Sequence, residues 1–322
     1  MKTIDIRSIE SIQIGNAQDV QNATGCTVIL CEQGMAAGLD VRGGGPASRE
    51  SELLKPVAAA EVIHAVLLSG GSAFGLDAAG GVMQYLEERN IGFDVGVTKV
   101  PLVCQSCLFD LTVGSKDVRP DKAMGYEACV QAAKGQFQTG NFGAGTGASV
   151  GKLHGMPGAM KSGLGTYAVQ LGDLQVGAVV AVNALGDVYD TDTGKKLAGL
   201  CTPDHTAFLD SAEELYKTCD RQHDLFTGNT TIGAIVTNGT FTKTQLCKIA
   251  SMAQNGYARA IRPVHTTADG DSIYALSAGR VPADLNVVGT LAADVMAKAI
   301  ADAVRKAQAA YGLPCAADFA EK

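Results

Sequence analysis

Two threonines and an asparagine at one junction carry the chemistry most worth testing. Thr230 and Thr231 open an apolar run in "GNTTIGAIVTNG", directly after Asn229. A threonine hydroxyl is a weak nucleophile until a base takes its proton. One solution puts the threonine at a chain terminus, where its own α-amine, titrating at about pH 7.7 to 8.0, is the base. An internal threonine reaches that state only if the bond before it is cut. Its hydroxyl can make that cut by attacking the preceding carbonyl, turning the amide into an ester that water opens. A turn followed by a rigid strand suits the attack, and Gly228, Asn229, Thr230 and then an apolar strand have that order. Threonine is also an ordinary strand residue, so composition alone leaves both readings open.

Other stretches invite chemistry less firmly. Asp269 and Asp271 stand two apart in "TTADGDSIYAL", ahead of a strand where both carboxylates would face one side. Such a pair needs a cation or a shared proton nearby, and the plain alternative is a solvated turn. "GAGTGASVGKL", from Gly143, resembles a phosphate loop, but Thr146 stands where the first Gly is required and Leu153 where Ser or Thr is. It reads instead as a tight turn whose N–H groups and Lys152 face a small site. "CQSC", from Cys104, lacks a second ligand pair or redox flanks and reads as structural. "DTDTG", from Asp190, lacks the closing glutamate of a calcium loop and reads as a turn. His64 reads as a core residue, and His265 is ambiguous.

The elements that must position these residues follow from the apolar pattern. "CTVIL" from Cys26, "VIHAVLL" from Val62, "CLFDLTV" from Cys107, "QVGAVVAVN" from Gln175, "TIGAIVT" from Thr231 and "SIYALS" from Ser272 read as strands. Most are apolar at both alternating positions, so both sheet faces should be covered. Helices are expected in "FGLDAAGGVMQYLEERNIG" from Phe74, after Pro120 as far as Gly135, after Thr242 with Gln245 in capping-box spacing, and in "LAADVMAKAIADAVRKA" from Leu291. Leu197 to Gly228 is polar and reads mostly as a surface linker with room for a short helix.

The bulk numbers agree with a folded enzyme. The chain has 322 residues, 46% of them hydrophobic and 18% charged, enough for a substantial core. A net charge of −7 without a basic block argues against nucleic acid as a partner. No stretch approaches the roughly 18 apolar residues of a membrane span, and the N-terminal segment lacks a signal-peptide core. A cytoplasmic location is therefore expected, with reduced cysteines.

The order of several long motifs resembles the self-processing aminopeptidases, the family of the L-aminopeptidase/D-esterases, β-peptidyl aminopeptidases and nylon-oligomer hydrolases. The motifs are "GCTVIL" at 25, "VRGGGPASRE" at 41, "LLSGGSAFGLDAAGGV" at 67, "FDL" at 109 and "RPDKAMGY" at 119. "GAGTGASVGKL" at 143, "VVAVNALGDV" at 179, "GNTTIGAIVTN" at 228 and "ARAIRPVHTTADGDSIYAL" at 258 complete the set, which covers nearly the whole chain.

The resemblance implies a single α-β-β-α four-layer sandwich over residues 1–322, cut between Asn229 and Thr230. The large subunit would be 1–229 and the small one 230–322, about 24 and about 10 kDa in proportion to 33.1 kDa. The two would stay together and assemble further, commonly as a tetramer of the cut pair. Thr230 would be the nucleophile, with Thr231 its competitor. Asn183 would be the oxyanion donor, Lys152 a site lysine, and Asp269 and Asp271 the acidic pair that orients the Thr230 amine and hydroxyl. Some members have a tyrosine at Phe74, after Gly70 and Gly71, so either a backbone N–H of the Ser69–Gly75 turn would replace its hydroxyl or Asn183 would act with less help. No metal or cofactor is implied. The substrate class would be short peptides or β-/ω-amino-acyl amides. An amine-accepting acyltransferase on the same scheme and an uncut, non-catalytic relative are the rival readings.

Overall fold

The structure is a computed structural model and describes residues 1–219 and 228–319. The main strands are β1 (Gln13–Asp19), β2 (Thr24–Val41), β3 (Ile63–Ser69), β4 (Val103–Cys107), β5 (Leu164–Leu171), β6 (Leu174–Asn183), β7 (Thr230–Gly239) and β8 (Ser272–Val281). The helices are α1 (Ala78–Glu87), α2 (Lys122–Ala133), α3 (Ser211–Tyr216), α4 (Lys243–Ala260) and α5 (Leu285–Lys306).

Two sheets share one long strand. The first half of β2 pairs with β1 and β3, and β3 pairs in parallel with β4. The second half of β2 pairs antiparallel with β8, and the order continues β8-β7-β6-β5. β7 and β8 run parallel, with α4 as the crossover between them.

Strand alternation makes three apolar layers from these two sheets. Ile29, Val66 and Leu68 of one sheet meet Val179, Ile232, Ala234, Val236, Tyr274 and Leu276 of the other. The opposite faces carry Val28, Leu30 and Leu67 against α1 and α2, and Val180, Ile235 and Ile273 against α4 and α5. This is the expected α-β-β-α sandwich, and it explains why the strands are apolar at successive positions. The capping box of Thr242 and Gln245 starts α4, and Asp121 caps α2.

Two expectations change. The strand expected to run from Cys107 instead ends there. Asp110, 3% exposed, turns inward to accept hydrogen bonds from the Thr24 hydroxyl at 2.7 Å and the Gly71 amide at 2.8 Å. An extended path would leave that carboxylate facing apolar neighbours. The expected linker after Leu197 is not all surface. Ala198, Leu200, Cys201 and Ser211 are buried, and the Ser211 hydroxyl donates to Asp187 at 2.6 Å. The expected short helix is α3; residues 220–227 of that stretch lie outside the described residues. No helix among the described residues is long and apolar enough to cross a membrane.

Candidate active site

Alternation along β7 separates the two threonines. Ile232, Ala234 and Val236 point between the sheets, and Ile235 points toward α4 and α5. By the two-residue period, Thr230 shares the intersheet face and Thr231 the helix face. In the β6–β7 ladder Asn183 stands directly opposite Thr230, on the face of Val179 and Ala181. Thr230, Asn183, Asn229 and Lys152 are all buried.

The junction before β7 is tightly held. The Asn229 amide donates to the Ala268 carbonyl at 3.2 Å, and the Gly270 amide donates to the Asn229 carbonyl at 2.9 Å. The Thr230 hydroxyl donates to the same Asn229 oxygen. Thus the nucleophile candidate and a main-chain donor both meet the carbonyl of the bond expected to break. Gly228 enters with φ +65°, and a Cβ there would lie 2.2 Å from the Phe109 ring, so this position takes only glycine without strain.

Asn183 has its carboxamide orientation fixed from both ends. Its Oδ1 accepts from Lys152 Nζ at 2.8 Å and from the Ser149 amide at 3.1 Å. Its Nδ2 donates to the carbonyls of Phe109 at 2.9 Å and Gly228 at 3.4 Å. The stretch "GAGTGASVGKL" therefore holds an asparagine oxygen with one amide and one lysine. Lys152 also donates to the Asn183 carbonyl at 3.1 Å. Burial pulls its ammonium down to about 7, although Asp269 and Asp110 draw it upward.

The two expected acids lie before β8 and take different partners. Asp271 Oδ1 accepts from the Thr231 amide at 2.7 Å, while its Oδ2 accepts from the His265 amide at 3.1 Å and lies 3.0 Å from His265 Nδ1. Asp269 Oδ2 accepts from the Thr266 amide at 2.8 Å and hydroxyl at 2.6 Å. Burial, followed by the charge of Asp271, pushes Asp269 up to about 6, against the Thr266 hydrogen bonds and Lys152. Among the described residues no hydrogen bond joins either carboxylate to Thr230.

Residues of the Gly70–Gly71 turn lie over Asp110. The amides of Gly70, Gly71 and Ser72 donate to the Gly25 carbonyl, Asp110 Oδ1 and the Leu108 carbonyl. Phe74 is 60% exposed, with the Arg119 guanidinium 3.8 Å over its ring. The main-chain donor found on the Asn229 carbonyl comes from Gly270, on the other side of the junction.

Sequence reasoning missed the supports around the site. Arg42 and Gly43 amides donate to the Asp271 carbonyl, and Gly44 and Gly45 amides to those of Thr266 and Asp269. The "RGGG" run thus braces the acidic loop; three consecutive glycines outside any helix were the available signal. Asp110 is the second miss, and burial pushes its carboxyl up to about 6. A lone aspartate among apolar residues was its signal. The "CQSC" thiols lie inside β4, buried, and burial pushes both up to about 12. Asp190 closes a turn by accepting from the amides of Asp192 and Thr193.

Residues 5–314 match the model of Peptidase family S58. The chain is 36% identical to an uncharacterized aminopeptidase of Mycobacterium leprae, over 96% of this chain and 92% of that protein. It is 30% identical to a 6-aminohexanoate-oligomer endohydrolase of a Kocuria species, over 91% of this chain and 84% of that protein. Among solved structures, the L-aminopeptidase D-Ala-esterase/amidase of Ochrobactrum anthropi, described as a variant of the Ntn-hydrolase fold, superposes with a TM-score of 0.71. That match has 17% identity and covers 93% of this chain and 85% of that one.

Proposed function

This chain belongs to Peptidase family S58, and from that premise we propose that it is a self-cutting N-terminal-threonine amide hydrolase. Thr230 is the nucleophile of two reactions. In the first, its Oγ bonds to the Asn229 carbonyl carbon, the C–N bond breaks, and the hydroxyl proton passes to the departing nitrogen. Water then adds its hydroxyl to the ester carbon and returns a proton to Oγ, leaving a carboxylate on Asn229 and a free amine on Thr230.

In the second reaction the α-amine takes the Oγ proton while Oγ attacks a substrate carbonyl. The Asn183 carboxamide, polarised through Oδ1 by Lys152, stabilises the oxyanion. The departing amine leaves with the proton, and water releases the acid from the acyl-enzyme. Asp269 and Asp271 balance the positive charge of Lys152 and of the new terminus. The subunits 1–229 and 230–322 stay together because β7 pairs with β6 and β8 pairs with β2, two ladders that join the small piece to the large one on both sides. The substrates are short peptides or β-/ω-amino-acyl amides, in keeping with relatives named as aminopeptidases and a 6-aminohexanoate-oligomer hydrolase.

The observation that carries this reading is the Thr230 hydroxyl, buried on the intersheet face against the Asn229 carbonyl and opposite Asn183. Intact mass spectrometry tests it. Wild type should give two polypeptides, the smaller beginning at Thr230, and Thr230→Ala should remain whole and inactive. Thr230→Ala that matures normally would place the nucleophile elsewhere. An acyltransferase would instead need an added amine to turn over ester substrates.

A further inference from the structure

The oxygen that must carry negative charge during the self-cut already has a donor. We infer that the main-chain amide of Gly270 is the oxyanion donor for cleavage of the Asn229–Thr230 bond, a role separate from that of Asn183. The inference rests on the self-cutting reading above.

Three observations combine. The Gly270 amide donates to the Asn229 carbonyl oxygen at 2.9 Å, so a donor already stands on the atom that becomes the oxyanion. The Asn183 amide donates elsewhere, to the Phe109 and Gly228 carbonyls. Its orientation is locked by Lys152 and Ser149 on the other end of the carboxamide. Position 270 also admits no side chain. A Cβ there would lie 2.7 Å from Thr230 Oγ1 and 2.9 Å from the Gly45 carbonyl, so only glycine brings this amide beside the nucleophile.

The donor is itself held in place. The Gly45 amide donates to the Asp269 carbonyl at 2.8 Å, which fixes the peptide unit containing the Gly270 N–H. The Asn229 amide in turn donates to Ala268, which ties the residue carrying the scissile carbonyl to the same loop as the donor. As Oγ bonds to the Asn229 carbon, the carbonyl π electrons move onto the oxygen, where the Gly270 N–H meets them. They return as the C–N bond breaks, and the Oγ proton goes to the leaving nitrogen. Gly270 neither gains nor loses a proton.

Replacing Gly270 by glycolic acid during cell-free translation tests this directly, because the backbone ester removes the N–H and adds no Cβ. The time course of the 230–322 fragment, followed by intact mass, should slow by about 100- to 1,000-fold. A matched ester at Thr267, in the same turn, should cut at the wild-type rate, and circular dichroism should show both chains folded. Wild-type speed in the Gly270 ester, or equal slowing in the Thr267 ester, would overturn the assignment while leaving the self-cut intact. A wild-type chain that never cuts would remove the self-cutting reading and this inference with it.

Discussion

Thr231→Val separates the two threonines at the junction by stability and by chemistry. Thr231 Oγ1 is buried and has no hydrogen-bond partner among the described residues. A buried hydroxyl left so costs about 1 to 3 kcal/mol, and valine fills the same shape without it. Valine also suits a strand at least as well as threonine. The Thr231 amide, which donates to Asp271, is retained in the variant. The substitution should therefore raise the unfolding midpoint by about 1.5 to 4.5 °C in a chain of this size. Calorimetry in a Thr230→Ala background keeps both chains whole and makes the comparison covalently equal. On the wild-type background, Thr231→Val should cut itself at the wild-type rate, because its side chain faces α4 and α5, not the junction. A Thr231→Val chain that stayed whole would show that the threonine hydroxyls were assigned to the wrong faces. A lowered midpoint would show that the hydroxyl has a partner worth keeping.

Gly228→Ala should slow the self-cut by about tenfold or more, since it adds positive-φ strain and a Cβ 2.2 Å from the Phe109 ring; a normal fragment time course would refute the seating of that turn. Asp269 has its carboxyl raised to about 6, so it is neutral below that pH and releases its hold on Lys152 and Thr266. With the α-amine also needing to lose a proton, the acid side of the kcat/KM profile should steepen from first to second order in protons below about pH 6, and a single slope down to pH 5 would contradict this. Lys152→Met should cost about 10- to 100-fold in kcat by removing the donor on Asn183 Oδ1. Because burial lowers the Lys152 pKa from 10.5 to about 7, the unfolded chain binds more protons between those values. Wild type should then gain stability over Lys152→Met by about 1.4 kcal/mol per unit as pH rises from 7, measured by denaturant titration; a difference independent of pH would show a solvated ammonium.

Local pattern was enough to read β2, β3, β6, β7 and β8, the capped helices and the two covered sheet faces, because burial and capping write themselves into residues three or four apart, or two apart; it did not mark β1 or β5. It also marked Thr230 as the residue after a glycine turn. Motif order brought Asn183, Lys152, Asp269 and Asp271 into one list. Their arrangement came only with the tertiary structure, because each contact joins segments distant in sequence. The β6–β7 register sets Asn183 against Thr230 and strand alternation puts Thr231 on the other face. Asp110 illustrates the limit from the other side. Within "CLFDLTV" its neighbours spell a strand, yet its carboxylate needs Thr24 and Gly71, and that demand ends the strand at Cys107. Gly270 shows it most directly: a glycine between two aspartates says turn, and only folding decides that its amide lies on the Asn229 carbonyl. Hydrophobic periodicity is a property of one segment, whereas a hydrogen bond across the fold is a property of two, and the chain records only its own half of each.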